Sequence, residues 1–316
     1  MSIPFQPLSL TKKAVILDTD MGPDCDDVGA LVTLISYAEQ YGIDILGVCH
    51  CTSNRSGAGT IDAVARYCGH PIENLGQWEH PGFLDVDACH KYSIEVAQRF
   101  SEQYANGTLK IAPSVEFYRK TLAAAPDDGV VIITIGMFNT LSALLSSAPD
   151  AISPLSGKEL VEKKVSALVS MAAILPEGRE YNVICDPEAA ENVFTNWPTA
   201  MYLSDFHIGW QIMTGYDPAD PHPDSPLYES YRLYTAGRCT NSSYDLTAVQ
   251  FAVIGEGEFY GLLPDAYRLE FYDAGTGKPD ATRAIPDPDG RIHFMTKRVD
   301  DATIAASLNA HMAKYL

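Results

Sequence analysis

Basic residues and long apolar runs are scarce in this sequence of 316 residues. Lys and Arg together number 22 against 41 Asp and Glu, so the formal net charge is −19. Because nucleic acids and anionic membranes are bound through clustered Lys and Arg, we expect neither as a partner. No apolar run approaches the roughly 20 residues that span a bilayer. Residues 1–5 lack the basic-then-apolar pattern of a signal peptide.

Paired cysteine motifs are also missing. The seven cysteines are scattered and odd in number, and a chain of this length does not depend on disulfides for stability. Scattered thiols are typical of a reducing compartment, so we predict a cytoplasmic protein, although a secreted form whose signal had been removed would have the same sequence. The cluster Cys49-His50-Cys51 lacks a second ligand pair at a zinc-site spacing, and we interpret it as ordinary packing.

Short apolar runs alternate with helical spacing over the first two thirds of the chain. The runs at 14–17, 43–48, 130–135, 165–171 and 200–203 predict buried strands, and helices are predicted at 28–41, 60–67, 140–145 and 187–194. This alternation predicts an α/β fold with a mostly parallel central sheet flanked by helices. Further on we predict helices at 227–236, 246–255 and 302–316, with antiparallel hairpins within 267–295. The sequence shows no linker or repeat, so we predict a single domain over 1–316.

An unusual run of acidic residues follows the first predicted strand. Five carboxylates lie within ten positions: Asp18, Asp20, Asp24, Asp26 and Asp27. There is no Lys or Arg between Lys13 and Arg55 to neutralise them. Crowded carboxylates repel, so they must be solvated, protonated or metal-bound. A solvated loop in which Asp26 or Asp27 caps the next helix explains one or two acids but not five.

The position and chemistry of this run predict a metal site. It lies between a strand and a helix, at the sheet edge where open parallel sheets bind ligands. Carboxylate oxygens favour a hard cation, and we expect Ca²⁺ over Mg²⁺ because calcium accepts more ligands in a looser geometry. An alternative is a haloacid-dehalogenase-type phosphatase, in which the first aspartate of Asp18-Thr19-Asp20 attacks phosphorus. That class also needs a later acidic pair, and Asp127-Asp128 precedes a strand instead of following one.

The acidic run and the small-residue helix after it resemble the N-terminal signature of the inosine-uridine nucleoside hydrolases. Four later segments resemble motifs of that family in the same order, namely residues 51–54, 136–141, 180–190 and 243–249. The resemblance covers roughly residues 14 to 254. It implies a Rossmann-like, nucleoside hydrolase-like fold and a homodimer or homotetramer. It also implies an enzyme of purine or pyrimidine salvage that hydrolyses the N-glycosidic bond of ribonucleosides, or of a related ribosyl compound, to ribose and free base.

The resemblance also implies roles for individual residues. Asp20 is the expected catalytic base, which takes a proton from a calcium-bound water. The implied metal ligands are the side chains of Asp20, Asp27 and Asp245 and the backbone carbonyl of Asn139. The implied contacts to the sugar hydroxyls are Asp24 or Asp26, Asn54, Glu180 and Asn182.

Two departures from the family pattern leave alternatives open. Five residues separate Asp20 from the Asp26-Asp27 pair, two more than is usual in the family, so either Asp24 or Asp26 can be the sugar contact. Tyr244 stands where several members have a histidine that protonates the leaving base.

A tyrosine titrates near pH 10 and is a poor acid at neutral pH, so Tyr244 is expected to contact the substrate by stacking or hydrogen bonding. Other aromatic residues available for stacking are Trp78, Phe83, Trp210, Tyr228, Tyr231 and Tyr234. Loss of the acid also leaves open a non-catalytic, calcium-dependent ribose-binding module.

Overall fold

A computed structural model describes residues 14–316, so residues 1–5, considered above for a signal peptide, lie outside the described part. The strands are β1 (Ala14–Thr19), β2 (Ile45–His50), β3 (Leu75–Gln77), β4 (Ala112–Pro113), β5 (Val130–Thr134), β6 (Val165–Met171), β7 (Glu177–Gly178), β8 (Ala200–Ser204), β9 (Met213–Gly215), β10 (Thr240–Ser242), β11 (Tyr260–Leu262), β12 (Tyr267–Tyr272), β13 (Ala281–Pro286) and β14 (Ile292–Lys297).

The helices are α1 (Asp26–Tyr41), α2 (Arg55–Tyr67), α3 (Ser93–Phe100), α4 (Glu102–Ala105), α5 (Ser114–Ala124), α6 (Asn139–Ser146), α7 (Gly157–Lys164), α8 (Tyr181–Ile184), α9 (Pro187–Asn196), α10 (Phe206–Gly209), α11 (Pro226–Tyr234), α12 (Tyr244–Ile254) and α13 (Asp301–Ala313). Each helix predicted from the sequence is present, although α2 begins five residues earlier than expected.

One large sheet has the strand order β4-β3-β2-β1-β5-β6-β8-β14-β12-β13-β7, with β11 paired to β14. All neighbours from β4 to β14 run parallel, and the remaining pairs are antiparallel. Strands β9 and β10 form a separate antiparallel pair. The prediction of a mostly parallel α/β sheet is therefore confirmed. The prediction of one domain over 1–316 stays a prediction.

Helices cover both faces of the sheet, and alternate residues of the central strands belong to the two resulting cores. Val15 and Leu17 of β1 pack with α1, α2, α12 and α13 on one face. Ile16, between them, packs with α5, α6, α7 and α9 on the other face. A strand that is buried on both faces must be apolar at every position, which is why β1 and β5 are continuous apolar runs.

The C-terminal region differs from the prediction in one respect. Strands β12 and β13 form the expected antiparallel pair, from Tyr267↔Pro286 to Tyr272↔Ala281. Strand β14, however, joins the central sheet parallel to β8, with Ile292 opposite Met201. An alternating apolar pattern indicates a half-buried strand but does not identify its partner, because pairing over 90 positions depends on tertiary packing.

Residues 68–129 were not assigned from the sequence and contain β3, β4 and α3 to α5. The two strands there are only three and two residues long, too short for an alternating pattern to be recognised. All seven cysteines are free thiols, and six of them are buried. Among the described residues, no helix has the length and apolarity required to cross a bilayer.

Candidate metal and substrate site

A cavity of about 590 Å³ opens at the carboxyl edge of the parallel sheet. Residues at or just after four strand ends line it, namely Asp20 after β1, Ile135 after β5, Met171 in β6 and Phe206 after β8. Six carboxylates lie in its wall: Asp20, Asp24, Asp26, Asp27, Glu180 and Asp245. The sequence predicted this edge for the ligand site, and the cavity lies there.

The segment from Asp18 to Asp27, here called the aspartate loop, is buried and held by several hydrogen bonds. Thr19 Oγ1 accepts from the backbone N–H of Met21 at 3.1 Å and donates to Asp27 Oδ1. Tyr92 donates its hydroxyl to the carbonyl oxygen of Asp24 at 2.7 Å. Gly22 has a φ of +153°, and a Cβ there would lie 2.6 Å from the carbonyl oxygen of Cys89. Glycine therefore allows the aspartate loop to pack against the chain near Cys89.

Three of the carboxylates come close enough to share one ion. Oxygen atoms of Asp26, Asp27 and Asp245 all lie within 4.8 Å of one another, and the three side chains are buried. Asp26 and Asp27 occupy the first turn of α1, and Asp245 the first turn of α12. Two helix N-termini thus face the group, and their unpaired N–H groups stabilise negative charge. Asp245 donates its own N–H to Asp26 Oδ2 at 3.1 Å.

The electrostatics of this group favour a partner of positive charge. Burial raises the pKa values of Asp26, Asp27 and Asp245 well above the usual range for aspartate, and the negative charges of neighbouring aspartates, Asp20 and Asp24 among them, raise them further. Burial also raises the pKa of Asp20 to about 8. Among the described residues, no Lys or Arg forms an ion pair with any of the four. The donor set therefore fits a hard metal cation.

Glu180 and Asn182 lie in the wall of the same cavity, at the start of α8. The Glu180 carboxylate caps this short helix, accepting from the N–H of Asn182 at 2.8 Å and of Val183 at 3.2 Å. Burial raises its pKa to about 7. The Asn182 amide donates Nδ2 to the carbonyl oxygens of Ile135 (3.2 Å) and Met171 (3.1 Å). Its Oδ1 is consequently the acceptor that remains for a ligand.

Asp24 and Asp26, which the sequence left as alternatives, occupy different surroundings. Asp26 belongs to the three-carboxylate group described above. Asp24 Oδ1 instead accepts from Asn241 Nδ2 at 2.6 Å, and a hydrogen bond from Tyr234 also stabilises its carboxylate. Asp24 is therefore held by residues of α11 and β10.

The remaining predicted residues differ in their local contacts and in whether they line the cavity. Tyr244 is in the cavity wall and stacks on Phe206, with ring centroids 5.2 Å apart and an interplanar angle of 28°. Asn139 is buried at the first position of α6, where Nδ2 donates to the carbonyl oxygen of Cys51 at 2.9 Å. Asn54 caps α2 through Ser56 N–H, and its Nδ2 donates to Asp85 Oδ1 at 2.8 Å. Asn54 is not among the described residues that line the cavity.

Several cavity residues were not found by sequence reasoning. Among them are Lys91, Arg179, Tyr181 and Phe206. Asn241, which donates to Asp24, was not found either. Phe206 lies three residues after the end of the strand predicted at 200–203, and that position near the carboxyl edge was a usable signal. Lys91 and Asn241 lie in stretches without recognisable periodicity, so nothing local indicated them. Of the aromatic residues considered for stacking, Tyr234 lines the cavity, whereas Tyr228 and Tyr231 are part of the core.

The fold and the site together define an α/β protein with an acidic ligand site at the carboxyl edge of its parallel sheet. The sequence model of the family "Inosine-uridine preferring nucleoside hydrolase" matches residues 15–235. The chain therefore belongs to this family. No curated protein sequence matches it significantly.

Solved structures with the same fold include three informative ones. The inosine-uridine preferring nucleoside hydrolase from Bacillus anthracis has a TM-score of 0.68 and 14% identity, over 96% of this chain and 100% of the other. An inosine-guanosine nucleoside hydrolase has a TM-score of 0.70 and 17% identity, over 96% and 99%. The type III effector protein XopQ, solved in complex with adenosine diphosphate ribose, has a TM-score of 0.66 and 14% identity, over 99% and 95%. Structural similarity at sequence identities of 14% to 17% establishes the fold of this chain.

Proposed function

We propose that this protein is a calcium-dependent hydrolase of the N-glycosidic bond in ribonucleosides or related N-ribosyl compounds. The observation that carries the proposal is the group of three buried carboxylates, which lies in one cavity with Asp20, Glu180 and Asn182. The cavity volume of about 590 Å³ is within the range of small-molecule sites. Membership of the family and the names of two structurally similar proteins support the same reaction.

The proposed calcium ligands are Asp20, Asp27, Asp245 and the carbonyl of Asn139, and we add Asp26 because its carboxylate belongs to the same group. Several carboxylates at one point favour calcium over magnesium, which keeps more of its water. When bound, calcium makes a coordinated water more acidic and so supplies the nucleophile.

Asp20 is the proposed general base. In the metal-free protein, burial and the negative charges of Asp24, Glu180 and Asp18 raise its pKa to about 8. A calcium ion held at the same site would favour the ionised carboxylate, which is the form that accepts the proton of the attacking water. Asp20 is 5% exposed, and that small exposed part lies in the cavity wall. The base is thereby shielded from bulk water while it faces the substrate.

The proposed sugar contacts are Asp26, Glu180 and Asn182. Each side chain is held by protein hydrogen bonds and presents an oxygen that accepts from a ribose hydroxyl. Such contacts allow binding energy to favour a flattened, oxocarbenium-like ring as the bond from C1′ to the base nitrogen breaks. The contact of Asn54 stays a prediction, since Asp85 accepts its side-chain amide in this structure.

The leaving base is proposed to stack on the aromatic wall formed by Phe206 and Tyr244. The two rings are stacked. The Trp210 ring packs beside that of Phe206, with 5.3 Å between the two ring centroids. A planar base has the size and polarisability to add to such a stack. Asp24, held by Asn241, is proposed to interact with the base and not with the sugar.

The phosphatase alternative requires Asp18 to reach a phosphorus atom. Asp18 is completely buried, and its Oδ2 accepts hydrogen bonds from Tyr118 (2.6 Å) and Thr140 (2.7 Å). A carboxylate in these surroundings acts as structural support for the aspartate loop and is unavailable as a nucleophile.

The predicted homodimer or homotetramer remains a prediction for sedimentation analysis.

A nucleoside panel assayed for reducing sugar, with calcium and with EDTA, tests the proposal. We expect ribose release with calcium, loss of it with EDTA, and loss in Asp20→Ala while the circular dichroism spectrum is kept. Asp44→Asn, an exposed site next to β2, is the matched control and should retain activity. Intact nucleosides throughout the panel would overturn the hydrolase proposal. Ribose binding without turnover would then identify the binding module, and magnesium-dependent release of phosphate from small esters would identify a phosphatase.

A further inference from the structure

Two basic side chains, Lys91 and Arg179, lie in the wall of a cavity whose other charged groups are acidic. Lys91 follows the short turn of 3₁₀ helix at Asp87–Cys89. Arg179 lies between β7 and Glu180, directly beside a proposed sugar contact. Both are exposed, so they belong to the outer part of the wall, whereas the three-carboxylate group is buried.

Neither cation acts as a counterion for the buried carboxylates. The Lys91 ammonium lies over the ring of Tyr234, 4.6 Å from its centroid, and forms no ion pair among the described residues. A cation over an aromatic face keeps its full charge available for a ligand, because the ring supplies only a quadrupole. The positive charge of Lys91 is therefore not neutralised by the acids deeper in the cavity.

Arg179 is oriented by a carboxylate outside the cavity wall. Its Nε and Nη2 donate to Asp280 Oδ1 and Oδ2 at 3.1 and 2.8 Å. Asp280 is 5% exposed, whereas the Arg179 side chain is 43% exposed. A guanidinium has five N–H donors in a fixed plane, so this pairing uses one edge and leaves Nη1 directed elsewhere. Arg179 is thus a preoriented donor next to the sugar site.

The charges are consequently separated along the cavity, with acids at depth and bases near the mouth. A neutral nucleoside has no negative charge that would pair with these two exposed cations. Basic residues are the minority in this chain, which has 22 of them against 41 acidic residues. A phosphate attached to the ribose would lie in the same cavity as these cations, because Lys91, Arg179 and the proposed sugar contact Glu180 all line it. Arg and Lys are the side chains that bind phosphate, the first as a fork and the second as a point charge.

We propose that Lys91 and Arg179 bind a phosphate group carried by the substrate, so that phosphorylated N-ribosyl compounds are preferred over neutral nucleosides. This inference rests on the proposed function, since it concerns the same cavity. It changes no step of the hydrolysis. It adds a specificity contact at the mouth of the site.

The test compares inosine with inosine 5′-monophosphate in calcium-loaded protein. We expect a higher kcat/KM for the monophosphate, and a ratio that falls at least tenfold in Lys91→Met and in Arg179→Met. Arg179→Lys should recover part of the preference, because it restores the charge without the fork. Lys158→Met, exposed on α7, is the control and should leave the ratio unchanged. Added NaCl should lower the ratio, since it screens exposed charges.

Calorimetry with ribose and ribose 5-phosphate provides a readout independent of turnover. We expect tighter binding of ribose 5-phosphate, which Lys91→Met reduces to the level of ribose. If inosine is hydrolysed as well as its monophosphate, or if Lys91→Met leaves both ratios unchanged, the phosphate contact is wrong while the hydrolase proposal stands. If neither compound is hydrolysed but ribose 5-phosphate binds through Lys91, the hydrolase proposal is wrong while the phosphate contact stands.

Discussion

The backbone N–H of Asp245 donates to the carboxylate of Asp26 at 3.1 Å, although 219 positions separate the two residues in the sequence. This hydrogen bond joins the first turn of α12 to the first turn of α1. It brings three carboxylates within 4.8 Å of one another. Carboxylates that would not repel one another if far apart are brought close together by this contact. They form a group of negative charge that fits a cation.

Asp27→Asn should make the thermal stability of the protein much less sensitive to calcium. In the native protein, calcium at about 100 times its Kd should stabilise the fold by about 2.7 kcal/mol. Asp27→Asn removes a carboxylate ligand but keeps an oxygen that accepts from Thr19. We therefore expect a higher Tm than wild type without metal, because one repulsive charge is lost, and a much smaller rise with calcium. Differential scanning calorimetry measures both, with Asp44→Asn as the control. A full calcium shift in Asp27→Asn would exclude Asp27 as a ligand.

The metal-free protein should lose stability as pH rises from about 5 to about 8. Burial raises the pKa values of Asp18 and Glu180 to about 7, above those of an unfolded chain, so the folded state binds more protons in this window. Stability is thus fully present below the unfolded pKa and is lost as pH rises through the folded pKa. Each pKa unit corresponds to about 1.4 kcal/mol.

Thermal melts after chelator treatment measure this slope. Asp18→Asn should flatten it, because the amide oxygen still accepts from Tyr118 and Thr140 but does not titrate. Stability that is constant or increasing over the window would contradict the expected protonation of these groups.

Gly57→Ala should displace His50 and loosen the aspartate loop. A Cβ at Gly57 would lie 2.0 Å from His50 Nε2, the atom that donates to the Met21 carbonyl oxygen at 3.3 Å. Overpacking of this kind costs about 1–3 kcal/mol, and we expect weaker calcium binding as well. The double variant Gly57→Ala/His50→Ala should be more stable than Gly57→Ala alone, since the new methyl group then has space.

Urea unfolding and calcium titration test this pair. Gly257→Ala is the control, because nothing lies within 4 Å of its added Cβ. If the double variant is no more stable than the single one, the ring of His50 does not set the requirement for glycine.

Asn182→Ala should reduce both stability and substrate affinity. It leaves the carbonyl oxygens of Ile135 and Met171 without the donor that pairs with them now, and each unpaired buried group costs about 1–3 kcal/mol. It also removes the Oδ1 proposed to accept from a ribose hydroxyl, so KM should rise more than kcat falls. Urea midpoints and steady-state kinetics distinguish the two effects. Asn196→Ala, at the end of α9, is the control. An unchanged KM would remove Asn182 from the sugar site.

Tyr244→Phe should retain most of the activity. Burial raises the pKa of Tyr244 above its ordinary value, so its hydroxyl is a weak acid at neutral pH, and its proposed contribution is the ring stacked on Phe206. We expect kcat to change by less than about threefold, whereas Phe206→Ala should raise KM. General acids typically contribute 10²–10⁴-fold. A loss of that size in Tyr244→Phe would show that the hydroxyl protonates the leaving base.

The strand-helix alternation and the place of the aspartate loop could be predicted from the sequence. Apolar runs such as those of β1 and β5 are recognisable because strands buried on both faces must be apolar throughout. The predicted edge of the sheet follows from the same pattern, because in open parallel sheets ligands bind at the carboxyl ends of the strands. The motif around Asp245 indicated, through the family resemblance, that a late aspartate returns to this edge.

Which of these carboxylates come together depends on tertiary packing and could not be predicted from the sequence. Asp26 joins Asp27 and Asp245, whereas Asp24 pairs with Asn241, because the packing of α1 against α12 fixes where each carboxylate of a crowded loop points. The partner of β14 and the two cations at the cavity mouth were also invisible in the sequence. Local periodicity reports the burial of one segment at a time. Contacts between distant segments arise from the joint packing of side chains, and short-range patterns carry no record of that packing.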